Sequence, residues 1–335
     1  MLHIYTRYSE IHPQAWDALA ERSAWATWFQ TRAAYDFYSR MPREMQPFAI
    51  GTEENGVLVG IVTGYITQER NAIQQFFTQR AIIQGGALLD EHISDKALSA
   101  LLAAVRGMLA RKSIYIELRN LHDYSRWKSV FAAQGFDYAP HLNFQVDCTK
   151  SASVLEQMKS NRRRQIRKGL AHGAYIAEAQ SENDVITLYT ILKNLYAHKV
   201  KTPLPSRDFF LTLYQSHNAK FLLIKYQNSI IGGIVCPVLG KRTLYEWYIC
   251  GLDKQYRQQY PSVLATYAAI DYAATHSIAS FDFMGAGTPD TPYGVRTFKS
   301  RFGGRQVENG RFLYICKPML YRVGQAAMRL LHARH

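Results

Sequence analysis

The most basic stretch of the chain is Lys159-Ser160-Asn161-Arg162-Arg163-Arg164-Gln165-Ile166-Arg167-Lys168, with five cations between 162 and 168 and no acid among them. Arginine suits phosphate because its planar fork makes paired hydrogen bonds. On a helix, Arg163, Arg164 and Arg167 fall within one turn of each other, and Ile166 and Leu170 are expected to form an apolar side. A solvated helix face is the ordinary reading of a charge run, but this density with no neutralising acid points to an anionic partner. A second segment, Phe281-Asp282-Phe283-Met284-Gly285-Ala286-Gly287, runs from a strand into a glycine-rich turn, and Arg296, Lys299 and Arg301 follow it. Glycines such as Gly285 and Gly287 let the backbone approach a ligand and turn its N–H groups outward. The turn lacks the Lys-Ser/Thr ending of a phosphate loop. Glu246 and Asp282 lie in strand-like surroundings, where a carboxylate either takes a proton or accepts structural hydrogen bonds. No Ser-His-Asp or Cys-His arrangement is legible, and the four cysteines show no metal spacing.

The elements that would position these residues repeat. An apolar segment from Phe48 to Val62 holds an Asn-Gly turn, a hairpin signal, and a segment from Phe221 to Val235 follows the same plan. At a constant offset of 173 the two share Phe, Asn and the closing Gly-Ile-Val. Helical periodicity follows each hairpin, through Leu98, Leu101, Leu102, Val105 and Leu109 in one case and Leu264, Tyr267, Ala268 and Tyr272 in the other. Strands at 114–118 and 280–284 come next. Hairpin, strand, helix, strand is similar to the core order of GNAT acyltransferases. The expected fold is therefore α/β with mixed sheets, in two tandem GNAT-like domains, 1–150 and 151–335.

Composition narrows the partners. The chain has 335 residues, 47% hydrophobic and 20% charged, an ordinary globular balance for about two domains. It has no bilayer-length apolar run and no signal-like start, which predicts a cytoplasmic protein without metal. A formal charge of +14 attracts polyanions and anionic membranes. The stretch 318–334 predicts a terminal helix, with Leu320, Val323, Ala327, Leu330 and Leu331 on one face. That face is expected to dock on the second domain or to rest on the inner face of the membrane.

The arginine run, taken with Phe298-Lys299-Ser300-Arg301-Phe302-Gly303-Gly304, resembles the FemABX family of twin-GNAT acyltransferases. The resemblance implies transfer of an amino acid from aminoacyl-tRNA to an amine of an anionic peptidoglycan precursor, with the acyl donor as co-substrate and no bound cofactor. It also implies a place for Lys299 at the reaction centre. Lys299 and backbone N–H groups near Tyr248 or Gly285 are the expected oxyanion donors, and Asp282 and Glu246 the expected proton acceptors. Arg162, Arg163, Arg164, Arg167, Lys168, Gly285, Gly287, Arg296 and Arg301 are the expected substrate-binding residues. The alternative is an acyl-CoA-dependent N-acyltransferase. GNAT enzymes seat the CoA pyrophosphate on a glycine-rich turn before a helix, where this chain reads Arg257-Gln258-Gln259-Tyr260-Pro261-Ser262, and side chains there oppose that use. A non-catalytic RNA-binding protein would use the basic run but leave the Lys299 segment unexplained.

Overall fold

The computed structural model describes residues 1–68, 79–149, 154–200 and 203–333, and the side chains of its last helix as far as 326. The chain forms two compact units, one of Met1–His141 with Glu308–His335 and one of Leu142–Val307. The first unit begins β1 (Leu2–Tyr5), α1 (Pro13–Arg22), α2 (Arg32–Ser39), β2 (Met45–Glu54), β3 (Val57–Thr67), β4 (Ala81–Gly85) and β5 (Leu88–Leu89). It continues α3 (Asp95–Leu109), β6 (Tyr115–Asn120), α4 (Lys128–Ala133) and β7 (Asp137–Ala139). The second unit runs β8 (Leu142–Asp147), α5 (Ser160–Ala171), β9 (Tyr175–Glu178), α6 (Glu182–Leu195), α7 (Arg207–Gln215), β10 (Ala219–Tyr226) and β11 (Ser229–Leu239). Next come β12 (Thr243–Tyr245), β13 (Tyr248–Gly251), α8 (Pro261–Thr275), β14 (Ser280–Asp282), α9 (Gly294–Lys299) and β15 (Arg305–Glu308). The chain then returns to the first unit with β16 (Arg311–Ile315) and α10 (Pro318–Ala333).

Each unit holds one mixed sheet. Their orders are β1-β2-β3-β4-β6-β16-β7, with β5 also on β3, and β15-β8-β14-β12-β11-β10-β9, with β13 also on β11. The expected fold class is thus observed. In both sheets the strand after the hairpin is broken in two, β4/β5 in one and β12/β13 in the other. The first piece of each also pairs in parallel with the strand after the helix, β6 or β14. Leu98, Leu101, Leu102, Val105 and Leu109 of α3 are fully buried, as their spacing requires.

The hairpins correct the sequence offset. Both turns have two central residues at positive φ, Asn55 and Gly56 in one and Gln227 and Asn228 in the other, as a type I′ turn needs. Glu54 pairs with Val57 and Tyr226 with Ser229, and the ladders slip between Thr52 and Glu53 and between Ile224 and Lys225. All three landmarks give an offset of 172. A one-residue shift would put every inward side chain on the outer face, so register overrules the five chance identities at 173.

The domain boundaries also differ from expectation. Position 150 lies outside the described residues, but β8 already belongs to the second sheet, and β16 completes the first. The cause is side-chain fit. Phe312 is buried and stacks on Phe131 with ring centres 3.9 Å apart. Arg311 Nη1 donates to Glu117 Oε1 at 2.7 Å. Tyr321 of α10 meets the edge of Tyr115 at 5.5 Å, so the described part of the terminal helix packs on the first unit, where one reading expected the second. Val323, expected on the packed face, is exposed, and the side chains of Ala327, Leu330 and Leu331 lie outside those described.

Burial alone would push the Glu117 carboxyl up, but the guanidinium groups of Arg119 and Arg311 outweigh it and bring it down to about 2 from 4.5. A folded-state pKa below the unfolded one adds stability above pH 4.5 that is lost as pH falls towards 2. A shift of this size is worth roughly 3 kcal/mol. Glu117→Gln should therefore lose about that much in urea unfolding at pH 7, with the gap to the parent closing below pH 4.5. A gap that stays constant with pH would show that charge does not hold β16 in place.

Candidate active site

Glu246 and Trp247 form the break between β12 and β13. Their amides leave the regular ladder, Glu246 N donating to Asp282 O at 2.9 Å and Trp247 N to Val235 O at 3.0 Å. The Lys299 ammonium comes into this break from the end of α9. Its Nζ donates to Phe283 O at 2.7 Å and Gly285 O at 2.8 Å, and it pairs with Glu246 Oε1 at 2.9 Å. An ammonium has three hydrogens, and these three acceptors occupy them. Lys299 is 8% exposed and Glu246 6%, so the pair is withdrawn from water. Burial pushes the Glu246 carboxyl up and Lys299 pulls it back. Glu246 Oε2 is buried with no partner among the described residues.

Asp282 is a different kind of carboxylate. It accepts from Asn143 Nδ2 at 2.8 Å, Gln145 Nε2 at 3.0 Å and the Met284 amide at 2.7 Å. Burial drives its carboxyl up against those bonds. The Gly285 amide donates to Asn143 Oδ1 at 2.7 Å, so it is committed to the loop and not turned outward as expected. Met284 at φ 56°, Gly285 at φ 127° and Gly287 at φ 79° give the turn its left-handed course. A Cβ on Gly287 would lie 2.9 Å from the Tyr293 ring. Asn143 and Gln145 escaped the sequence reading. The available signal was the apolar/polar alternation from Leu142 to Asp147, since that spacing puts both amides on one face.

Several expected binding residues are engaged in structure. The Arg296 guanidinium gives its hydrogens to the carbonyls of Ala286, Thr288, Pro289 and Thr291, which makes it a clamp on the turn. Arg162 is buried, stacked between Phe298 and Phe302 at 4.5 and 4.4 Å, and donates to Phe298 O. Burial first, and Arg301 second, lower its pKa to about 10. The inner face of α5 is thus Arg162, Ile166 and Gly169, and Leu170, expected inside, is outside. Arg163, Arg164, Arg167 and Lys168 line an open groove of about 580 Å³ with Ser160 and Ala171. Arg301 is half-buried, and its carbonyl receives the Lys159 amide. Tyr248 packs its ring against Phe209, Phe210 and Trp247.

Comparison with known proteins identifies the architecture. Residues 156–299 match the family described as acetyltransferase (GNAT) domain. FemX is similar over 93% of this chain and 98% of its own, at 15% identity and a TM-score of 0.71. A tandem GNAT protein from the clavulanic acid biosynthesis pathway covers 94% and 99% at 11% identity and TM-score 0.59. L-PGS from Bacillus licheniformis covers 94% and 96% at 12% and 0.57. No curated protein matches. The chain has the tandem GNAT fold. An acyltransferase domain is therefore present in the second unit, and the FemABX resemblance read from the motifs holds over nearly the whole length as a likeness of fold.

The two GNAT units differ at their broken strands. In the first, Gln30 Nε2 donates to the carbonyls of Gly85 and Gly86, and Tyr124 Oη donates to Ala87 O. Both side chains are buried and neutral, where Lys299 and Glu246 bring an ion pair to the second break. The GNAT helix that follows begins differently from a pyrophosphate seat in both units. The Ser262 amide and hydroxyl donate to Asp253 at 3.1 and 2.5 Å, and the Ser94 amide and hydroxyl donate to Glu54 at 3.3 and 2.6 Å. A carboxylate already sits where the helix N-terminus would attract an anion.

Removing one partner of a buried pair costs about 3–5 kcal/mol, because the other charge is left uncompensated. Lys299→Met should therefore lower the melting temperature. The double variant Lys299→Met/Glu246→Gln should recover much of that loss while transfer stays abolished. A single variant as stable as the parent would show that Lys299 does not hold the turn.

Proposed function

We propose that the chain is an N-acyltransferase that moves an aminoacyl group from aminoacyl-tRNA to an amine of a peptidoglycan precursor. The observation that carries the choice of donor is the carboxylate on each GNAT helix N-terminus, Asp253 on Ser262 and Glu54 on Ser94. A CoA pyrophosphate would have to displace a bonded acid of its own sign. The groove of Arg163, Arg164, Arg167 and Lys168 instead offers cations at helical spacing to the phosphates of a nucleic acid. FemX, as the neighbour with TM-score 0.71, supports the peptidoglycan side of the reading.

In this reading the acceptor amine attacks the ester carbonyl directly. A C–N bond forms, the C–O bond to the tRNA ribose breaks, and the freed ribose oxygen takes a proton. Glu246 is the better proton acceptor of the two carboxylates. Its Oε2 has no partner among the described residues, whereas both oxygens of Asp282 are bonded and serve to position the turn. Lys299 positions Glu246 and the Phe283–Gly285 carbonyls.

Mass spectrometry of reactions that offer aminoacyl-tRNA or acyl-CoA together with peptidoglycan precursors tests the proposal. The aminoacyl group should leave tRNA and appear on the precursor, and Glu246→Gln should slow this by ~100-fold, in the range of a lost general base. Consumption of acyl-CoA with aminoacyl-tRNA untouched would establish the alternative.

The precursor side also extends to the membrane. No helix among the described residues is long and apolar enough to cross one. Met319 and Val323 of α10 are nevertheless 82% and 58% exposed, and residues 317–335 hold four Lys and Arg with no acid. We propose that this helix rests on anionic lipid at the inner face of the membrane, each cation adding about 1 kcal/mol. The protein should float with phosphatidylglycerol vesicles at low salt, and Met319→Glu/Val323→Glu should not. Equal flotation of both would remove α10 from membrane binding.

A further inference from the structure

Helix α5 has two faces with different tasks. The outer one carries Arg164, Arg167 and Lys168 along the groove. The inner one carries Arg162, 2% exposed, between the rings of Phe298 and Phe302. Arg162 Nη2 donates to Phe298 O at 3.2 Å and Nη1 to Gln165 Oε1 at 2.9 Å. Its Nε is buried with no partner among the described residues, so the rings hold the guanidinium as much as its hydrogen bonds do. A planar guanidinium fits a slot between two rings, whereas an ammonium on a flexible stem does not fill it.

Phe298 and Phe302 flank Lys299 in the chain. Two backbone contacts close the same seam. The Lys159 amide at the start of α5 donates to Arg301 O at 3.0 Å, and Gly303, at φ 90°, lies against the Gln157 carbonyl with no room there for a Cβ. Lys299 itself is tied on its other side, to Phe283 O, Gly285 O and Glu246. The segment 298–303 therefore stands between the reaction centre and the groove helix, and Arg162 grips it through both rings.

A donor with its phosphates in the groove and its acyl ester at Glu246 has to span that segment. Binding energy gained at the phosphates speeds the chemical step only if the two ends are held at a fixed separation. We propose that Arg162 is a positioning residue: it fixes the groove helix to the Lys299 segment, so that binding of the donor's phosphates places its ester at the reaction centre. This role rests on the aminoacyl-tRNA reading.

Two donors separate positioning from support of the fold. Aminoacyl-tRNA reaches both the groove and the reaction centre, whereas the 3′-aminoacyl ester of adenosine, with the same amino acid and no phosphate, reaches only the second. Arg162→Met should lower kcat for aminoacyl-tRNA about tenfold or more relative to kcat for the adenosine ester, while Kd for the tRNA stays that of the parent. Arg162→Lys, which keeps the charge but not the plane, should show the same split. Phe298→Leu keeps Arg162 and removes one ring, so it should show the split too, and it serves where Arg162→Met does not fold. Arg163→Glu/Arg164→Glu/Arg167→Glu should instead raise Kd for the tRNA. An unchanged kcat ratio in the Arg162 and Phe298 variants, whether both rates fall or neither does, would overturn the proposal. So would a raised Kd in Arg162→Met, which would make Arg162 part of the groove. Transfer from neither donor by the parent would sink the acyltransferase reading instead, and hydrogen exchange then decides the join. The amides of 159–168 and of 298–303 should both exchange about tenfold faster or more in Phe298→Leu, and unchanged exchange in either segment would show that the rings do not fix one to the other.

Discussion

The candidate site depends on one ammonium group with three acceptors. Lys299 Nζ joins two carbonyls of the turn after β14 to the carboxylate in the break after β12. Each contact fixes something the others need. The two carbonyls set the path of Met284 and Gly285 through left-handed backbone, where Met284 is under steric cost. The Glu246 contact keeps a buried carboxylate oriented so that one oxygen is engaged and the other has no partner among the described residues. Arg296 and Asn143 then secure the turn from either end, one through four carbonyls and the other through the Gly285 amide.

The two units follow one plan with different chemistry at the same place. Both have a type I′ hairpin, a ladder slip two residues before the turn, and a broken strand next to it. In the first unit neutral side chains, Gln30 and Tyr124, satisfy the carbonyls at the break. In the second, Lys299 pairs with Glu246 at the break and donates to the carbonyls of Phe283 and Gly285 in the turn after β14. A hydrogen-bonded amide makes a rigid join, whereas a buried ion pair retains a group that can hold or release a proton. The shared fold therefore does not imply two active centres.

Much of the architecture was legible because it rests on patterns with a fixed period. The α3 face read from Leu98 to Leu109 is the buried one, and the fold class followed from the order of elements. The identities that suggested an offset of 173 misled by one residue, because sequence matching carries no information on which side of the pleat a residue lies. The sequence suggests Arg162 and Arg296 as ligand-binding because an arginine fork suits an anion. Aromatic rings far along the chain, Phe298 and Phe302, claim Arg162, and the carbonyls of the neighbouring turn from Ala286 to Thr291 claim Arg296. Asn143 and Gln145 could not be connected to Asp282 before the sheet order was known. For the same reason the cluster of Glu117, Arg119 and Arg311 was invisible, since only β16 pairing with β6 brings its parts together.

That pairing also has a consequence for biosynthesis. The second unit is an insertion within the first, because β16 is made only after residues 142–307 have been completed. Domains generally fold in order as the chain emerges, yet here the unit that starts first must finish last. While the ribosome is still making the second unit, β6 waits with its β16 edge unpaired, and Phe131 lacks the ring that later stacks on it. An unpaired edge of this kind invites association with other chains. Like-charged Arg119 on that edge, already held by Glu117, gives the waiting strand some protection against pairing with a copy of itself. The last strand to be synthesised thus closes the unit by joining β7 to β6.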